Sequence, residues 1–259
     1  MVRTLIAAAG LLAAVAPAFA DEKKMDTRLF ELRIYTAPAG KLDALHARFR
    51  DHTVKLFEKH GMANIGYWVP VDNKENKLYY VIAHKDKAAR AASFKAFGAD
   101  PDWQKAYKES EKDGPLTTKG GIESILLTAT DFSPAVAPSV AKEPGVFELR
   151  VYTATKGNLA NLNARFRDHT VKLFEKYGMT NLPYFNVAKG EKDDDVMLYY
   201  FLGHKSQEAA KASFDKFRLD ADWVAARKAS EEKGGGSLTE AKGGVVSIFL
   251  KATDYSPTK

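Results

Sequence analysis

Apolar and polar side chains alternate from Phe30 onward in the segment LFELRIYT, which begins at residue 29. Phe30, Leu32 and Ile34 fall on one side of an extended chain, whereas Glu31 and Arg33 fall on the other. A period of two is typical of a β-strand with one face against an apolar core. We therefore expect a strand here, with its apolar side facing the helices of the domain.

The positions that follow predict six further elements. A helical period begins near Lys41 and ends at Gly61, where glycine can adopt the left-handed cap conformation. The next elements are strands at 65–71 and 78–84, a helix at 87–97, a short helix from Asp100-Pro101, and a strand at 122–130. With the short helix counted as an extension of the second helix, the order β-α-β-β-α-β is the ferredoxin-like plan.

The whole pattern occurs twice. FELRIYT at 30–36 returns as FELRVYT at 147–153, and ARFRDHTVKLFEK at 47–59 is repeated without change at 164–176. LYYVIAH and ATDFSP return as LYYFLGH and ATDYSP. We therefore predict a first domain at 28–134 and a second at 146–257. The proline- and alanine-containing segment between them, 135–145, has the composition of an extended linker.

The first 20 residues have the features of an export signal. Arg3 is followed by an apolar run and then by Ala18-Phe19-Ala20, a small-x-small cleavage pattern. The apolar run is too short to span a bilayer. The sequence therefore predicts cleavage near Ala20 and a periplasmic or secreted protein without a transmembrane segment.

Charge and composition narrow the function classes. Without Arg3 the chain has 38 basic and 33 acidic side chains, and the two signs are interspersed. Such a diluted net charge argues against nucleic acid as a partner. The chain contains no cysteine, which removes thiol catalysis, thiolate metal sites and disulfides from consideration.

A ferredoxin-like domain leaves one face of its sheet uncovered, because both helices lie on the other face. The second copy can cover the first through a pseudo-two-fold, which predicts an intramolecular dimeric α+β barrel and a monomeric pseudo-dimer. If the apolar side of the first strand faces the helices, the charged side faces the barrel interior. The charges predicted to pair there are Glu31, Arg33, Glu148 and Arg150.

Several motifs together resemble the NIPSNAP family. They are ELRIYT, GKLDAL, IGYW, ADPDW and TATDFSP, and they appear in order in the first copy. The second copy departs from them, with LDADW for ADPDW and PYF for GYW. The resemblance implies the dimeric α+β barrel superfamily, which includes cofactor-free monooxygenases, haem-degrading enzymes and chlorite dismutase-like proteins. NIPSNAP proteins have no agreed catalytic motif, and their animal members are associated with mitochondrial protein interactions.

Histidines are the first candidates for binding a ligand. His52 and His84 recur as His169 and His204, whereas His46 occurs in the first copy only. Helical projection places His52 at the edge of the apolar stripe. There it can bond a strand or loop carbonyl, or it can serve as a pocket residue or haem-proximal ligand between helix and sheet. His84 and His204 end strands, where a histidine can cap the strand or contact an oxygenated ligand.

Four further residues complete the candidate ligand-binding set: Thr53, Tyr80, Thr170 and Tyr200. The threonines interrupt the apolar stripe, either to line a cavity or to bond their own helix carbonyl. Tyr80 shares a face of its strand with His84. No histidine spacing typical of a metal site occurs, so we expect no metal.

These residues form no coherent catalytic set. The sequence therefore favours an exported, non-catalytic module that binds a small molecule or a protein, with no cofactor. Two alternatives are a haem-dependent or cofactor-free oxidative enzyme and an envelope scaffold protein.

Overall fold

The computed structural model describes residues 25–139 and 145–259, so the predicted export signal at 1–20 and part of the predicted linker lie outside the described residues. The first repeat consists of β1 (Leu29–Thr36), α1 (Leu42–Arg48), α2 (Val54–Lys59), β2 (Ala63–Pro70), β3 (Lys77–His84), α3 (Lys87–Ala99), α4 (Pro101–Ser110) and β4 (Ile122–Ala129). The second consists of β5 (Val146–Thr153), α5 (Leu159–Arg165), α6 (Val171–Lys176), β6 (Thr180–Val187), β7 (Met197–His204), α7 (Gln207–Leu219), α8 (Ala221–Lys233) and β8 (Val245–Ala252).

The eight strands form one closed antiparallel barrel in the order β1-β3-β2-β8-β5-β7-β6-β4. Each repeat contributes four neighbouring strands, and two seams, β2 with β8 and β4 with β6, join the repeats. The predicted α+β class and intramolecular barrel are therefore confirmed. In the described ranges no helix is long and apolar enough to cross a bilayer.

The barrel interior is apolar and is built from both repeats. Phe30 packs against Phe185 with ring centroids 5.1 Å apart, and Trp68 stacks on Phe201 at the same distance. Other buried side chains of this core are Leu32, Val81, Leu127, Phe147, Leu149, Val187 and Leu250. Each repeat thus covers the sheet face that the helices of the other repeat leave bare.

The orientation of β1 is opposite to the prediction. Phe30, Leu32 and Ile34 belong to the barrel core and do not face the helices. Glu31 lies opposite Ile82 in the β1–β3 register, and Ile82 packs in the core beneath the helices. The predicted alternation is present, but the apolar face of β1 meets the barrel interior and the charged face meets the helices.

The predicted barrel-interior charges therefore lie elsewhere, between the sheet and the helices: Glu31, Arg33, Glu148 and Arg150. The physical reason is the supply of hydrogen-bond partners. The barrel interior is lined by aliphatic and aromatic side chains, whereas hydroxyl, imidazole and guanidinium groups surround these charges on the helix side. A buried charge without such partners would cost several kcal/mol.

A π-helical turn separates α1 from α2 at Phe49–Thr53, and Phe166–Thr170 is the equivalent turn of the second repeat. Buried Leu45, Phe49 and Thr53 are spaced by four residues, which exceeds the 3.6 residues of an α-helical turn. The wider π turn absorbs that excess and keeps all three side chains on the sheet. The turn contains FRDHT, the centre of the duplicated helix.

The repeated ATDFSP and ATDYSP segments join the repeats. After β4, Thr130 N donates to Tyr184 O at 2.9 Å and Ser133 Oγ accepts from Tyr184 N at 3.0 Å. The second segment makes the same bonds to Tyr67 of the first repeat, through Thr253 N and Ser256 Oγ. Each segment therefore docks on the other repeat and extends a barrel seam.

Candidate functional site

A buried polar cluster lies beneath α3 in the first repeat, with the Glu31 carboxylate at its centre. Arg90 Nε donates to Oε2 at 2.6 Å, and Arg33 NH1 donates to Oε1 at 2.5 Å. Ser124 Oγ donates at 2.6 Å, and His84 Nε2–H donates to Oε2 at 3.2 Å. Glu31 and His84 are buried, whereas the Arg90 side chain reaches the surface.

The second repeat builds the same cluster around Glu148. Arg150 NH1 donates to Oε1 at 2.6 Å and Ser247 Oγ to the same oxygen at 2.5 Å, while His204 Nε2–H donates to Oε2 at 2.9 Å. The position of Arg90 is taken by Ala210, which is fully buried. Two guanidinium groups therefore face Glu31 and one faces Glu148.

The clusters keep their carboxylates ionised. Burial raises the pKa of the Glu31 carboxyl, but hydrogen bonds from Arg90, His84 and Ser124 together with the charge of Arg33 outweigh burial and hold that pKa well below its usual range. Burial also raises the pKa of the Glu148 carboxyl, but its bonds to His204, Ser247 and Arg150 and the charge of Arg150 outweigh burial and lower that pKa. Both carboxylates thus act as hydrogen-bond acceptors, not as proton donors.

Two predicted tyrosines belong to these clusters. Arg33 Nε donates to Tyr80 Oη at 2.8 Å, and Arg150 Nε donates to Tyr200 Oη at 2.9 Å. Burial raises the pKa of both phenols well above the ordinary value. Tyr80 and His84 therefore belong to the same cluster, as their shared strand face suggested. Tyr80 contacts Arg33 and His84 contacts Glu31, and these two charged groups are bonded to each other. His84 Nδ1 is the exception, since it is buried and has no partner among the described residues.

The threonine and histidine candidates on the duplicated helix do not converge on a cavity. Thr53 Oγ1 donates to the Arg48 carbonyl at 3.1 Å, and Thr170 Oγ1 makes the same bond to Arg165 at 3.0 Å. His52 and His169 are exposed. The alternative that places these histidines in a pocket between helix and sheet is therefore wrong, because the π turn rotates them outward.

His46 occupies a separate position between the repeats. Its Nδ1 lies 2.8 Å from Tyr255 Oη, which belongs to the docked C-terminal segment. Burial lowers the pKa of His46. Next to it, Arg50 forms a bidentate pair with Asp254 at 2.5 and 2.8 Å. This histidine helps to attach the second repeat to the first.

Sequence reasoning missed Arg90, Ser124 and Ser247. Arg90 is the only charged residue in the stretch AARAASF, which is the signal that could have identified it. The serines share a strand face with apolar residues, so a period-two pattern alone does not distinguish them. Their role becomes visible only through the β1–β4 and β5–β8 registers, which place Ser124 opposite Arg33 and Ser247 opposite Arg150.

The described residues do not fit haem. His52 and His169 lie on the outer surface, and the Nε2 atoms of His84 and His204 are bonded to buried carboxylates. The barrel holds a cavity of about 20 Å³ beside Trp68, room for about one water molecule. Over the same ranges no group of three or more histidine, aspartate or glutamate side chains could hold a metal ion.

Two grooves flank α8 on the outside of the second repeat. The alanine groove, about 800 Å³, lies between α6 and α8 and is lined by Asp168, His169, Lys172, Leu173, Glu175, Lys176, Asp222, Ala225, Ala226 and Ala229. The arginine groove, about 520 Å³, follows the other side of α8 and is lined by Arg218, Trp223, Val224, Arg227, Lys228, Glu231, Glu232, Gly235 and Gly236. Both are large enough for a small molecule or part of a peptide.

The family model described as NIPSNAP matches the chain twice, over residues 30–134 and 147–257. Among solved structures, a NIPSNAP domain protein from Burkholderia xenovorans is 25% identical, and the match covers 41% of this chain and 99% of that chain at a TM-score of 0.36. A NIPSNAP family protein from Agrobacterium tumefaciens is 21% identical, and the match covers 42% of this chain and 93% of that chain at a TM-score of 0.37.

A protein described as anthrone oxidase-like shares the architecture of the whole barrel. It is 12% identical, and the match covers 88% of this chain and 92% of that chain at a TM-score of 0.57. At that identity the likeness concerns the fold alone. None of the curated proteins matches the chain.

Proposed function

This chain belongs to the NIPSNAP family, and from that premise we propose that it is a non-catalytic module that binds its ligand on the outer helix layer of the second repeat. The alanine groove is the single observation that carries the proposal. Its lining includes positions of α8 at which the second repeat has smaller side chains than the first. The groove supports this position for the predicted small-molecule or protein ligand.

Two positions of α8 that line the groove carry smaller side chains than the equivalent positions of α4. The α6 wall of the groove belongs to ARFRDHTVKLFEK, which is identical in both repeats. Its α8 wall carries Ala225 and Ala229, and the equivalent positions of α4 are Lys105 and Glu109. The two methyl groups line the groove together with Leu173, and they occupy less volume than a lysine and a glutamate side chain would. His169 lines this groove, so one of the predicted ligand-binding histidines borders the proposed site.

The interior supports the same proposal. The polar groups between sheet and helices are bonded to one another, and the barrel cavity has room for about one water molecule. A substrate would have to displace several charge-assisted hydrogen bonds to reach Glu31 or Glu148. A ligand on the outer helices displaces only solvent.

The test fills the groove with the side chains of the first repeat. Protein isolated from its native source is analysed by native mass spectrometry, and we expect a co-purifying ligand mass that Ala225→Lys/Ala229→Glu loses. Both alanines are exposed, so the variant retains the wild-type unfolding midpoint. The matched control, Lys105→Ala/Glu109→Ala, retains the ligand. Wild-type protein without a bound mass, or a filled variant that keeps it, contradicts the proposal.

We also propose that the protein acts outside the bacterial cytoplasm as a monomeric pseudo-dimer. The motif Ala18-Phe19-Ala20 and the self-contained barrel support this. Sequencing the N-terminus of the protein from a periplasmic extract should begin at Asp21. Gel filtration should give the mass of one chain, and a larger assembly would favour the scaffold alternative.

A further inference from the structure

The arginine groove differs from its counterpart in the first repeat in the number of guanidinium groups. Arg227 stands where the first repeat has Tyr107, and Arg218 stands where it has Gly98. Both arginines line the groove, together with Lys228. The second repeat therefore has two permanent positive charges that the first repeat lacks, since the first has a tyrosine at one of these positions and a glycine at the other.

Beneath this groove lies Arg165, a buried arginine that is incompletely paired. Its side chain is 6% exposed, and it covers the Trp223 ring at 5.2 Å from the centroid. Its NH1 is 3.4 Å from Ser230 Oγ and 3.8 Å from Glu231 Oε1, and its Nε has no partner in the described part of the chain. Burial lowers the pKa of this guanidinium.

The first repeat has a closer ion pair at the equivalent position, although the Nε of Arg48 also has no partner among the described residues. Arg48, the equivalent of Arg165, donates from NH1 to Glu111 Oε1 at 2.9 Å and covers Trp103 in the same way. In the second repeat Arg227 Nε holds the equivalent oxygen of Glu231 at 2.9 Å. Two guanidinium groups therefore share one carboxylate, and Arg165 receives the longer contact.

The remaining charges do not restore the balance. Arg218 donates to Asp215 at 2.9 Å, and that carboxylate also pairs with Lys211. Lys228 lies 3.9 Å from Glu232, a long exposed pair of small energetic value. One guanidinium around Glu231 thus remains uncompensated. A further anion would complete the set, because an arginine fork matches two oxygens of a carboxylate or phosphate.

We infer that the arginine groove binds an organic anion, with its carboxylate or phosphate at Arg227 and its apolar body on Trp223 and Val224. The inference rests on the proposed binding function and names a ligand class for the outer helix layer. Trp223 is partly buried and Val224 is 53% exposed, so they offer an apolar surface directly beside the charges. The first repeat, with Tyr107 and Gln104 at the equivalent positions, lacks this combination.

Nuclear magnetic resonance of the tryptophan indole N–H groups in the full chain tests the inference, because Trp103 and Trp223 serve as matched reporters. Octanoate and octyl phosphate are titrated separately, alongside inorganic phosphate and octanol. We expect the indole N–H resonance of Trp223 to shift saturably with octanoate, octyl phosphate or both. Inorganic phosphate and octanol, which each lack one part of the ligand, should shift it less, and the resonance of Trp103 should not move. Whichever anion binds more tightly identifies the head group.

The decisive variant is Arg227→Tyr, which restores the residue of the first repeat. The Arg227 side chain is 59% exposed, so the variant keeps the wild-type unfolding midpoint. Its affinity for the anion should fall at least about tenfold, since a charge-assisted hydrogen bond is lost. Equal responses to octanol and octanoate, or an unchanged affinity in the variant, overturn the inference. If neither anion binds while the native protein keeps its co-purifying ligand, this inference fails and the proposed function stands.

Discussion

Glu31 and Glu148 are buried carboxylates at equivalent positions with unequal surroundings. Both accept from a strand arginine, a serine and a histidine, but only Glu31 also accepts from a helix arginine, Arg90. Charges removed from water are stable only when partners replace the lost hydration. The motif ELR-x-Y is thus explained by folding. In both repeats its arginine covers a phenylalanine of the helix layer, and in the first repeat its carboxylate also accepts from Arg90 of α3.

Replacing Glu31 by Gln should lower the free energy of unfolding by about 3–5 kcal/mol, because Arg33 and Arg90 would both lose their anionic partner. Glu148→Gln should cost less, since one arginine faces that carboxylate. Urea denaturation at neutral pH measures both values. Equal losses would show that Arg90 makes no contribution to stability.

The lowered pKa of Glu31 predicts a sign for the pH dependence. A carboxyl whose pKa is lower in the folded state stabilises the fold above its unfolded value, here 4.5, and loses that effect as the pH falls through the folded pKa. The stability difference between wild type and Glu31→Gln should therefore be constant above about pH 6 and should shrink below about pH 4.5. Denaturation at pH 7, 5 and 3 measures it, and a difference that grows in acid would contradict the prediction.

At the scale of elements, the π turns decide where the duplicated histidines point. A regular α-helix with apolar residues every four positions would drift away from the sheet, and the wider turn at Phe49–Thr53 corrects the drift. The correction turns His52 outward while Thr53 remains buried. Because the identical turn occurs at Phe166–Thr170, we attribute the π turn to the local sequence FRDHT and its flanking residues.

The threonine hydroxyls satisfy carbonyl groups at these turns. Thr53→Val should therefore lower the free energy of unfolding by about 1 kcal/mol, with a similar loss for Thr170→Val. The two effects should add, since the sites share no hydrogen-bond partner. Thr53→Ser keeps the hydroxyl and serves as the control in thermal or urea unfolding. A double variant as stable as wild type would show that the turn does not need the hydroxyl.

At the scale of the whole molecule, the two repeats are parts of one folding unit. The aromatic pairs Phe30–Phe185 and Trp68–Phe201 cross between them, and two strand seams close the barrel. The segment that follows the last strand of each repeat, ATDFSP or ATDYSP, docks on the opposite repeat, so the contacts are reciprocal. A single repeat would expose an entire apolar sheet face to water, which is a large loss of hydrophobic stabilisation.

Separate production of residues 25–139 and 145–259 should therefore give aggregates or self-associated species, not folded monomers. Co-production should restore a 1:1 complex with the circular dichroism spectrum of the intact chain. Gel filtration with light scattering distinguishes these outcomes. A monomeric half with a cooperative thermal transition would show that the barrel core is dispensable for folding of a repeat.

The candidate site was only partly accessible to prediction. Tyr80 and His84 were expected to share a face, and they do, because period two is a local property of a strand. The partners of Glu31 were not predicted, since Arg90 and Ser124 are 59 and 93 residues away from it in sequence. The grooves beside α8 were also missed, because an alanine on a helix indicates space only when the neighbouring helix is known.

The sequence by itself determined the order of the elements, the duplication and the alternating faces, since each depends on residues close together in the chain or on direct internal identity. Which face of β1 lines the barrel was decided by tertiary structure, because alternation separates two sets of side chains without saying what each set meets. Polar partners supplied by α3 and β4 drew the charged set toward the helices, and the aromatic side chains of the opposite repeat enclosed the apolar set.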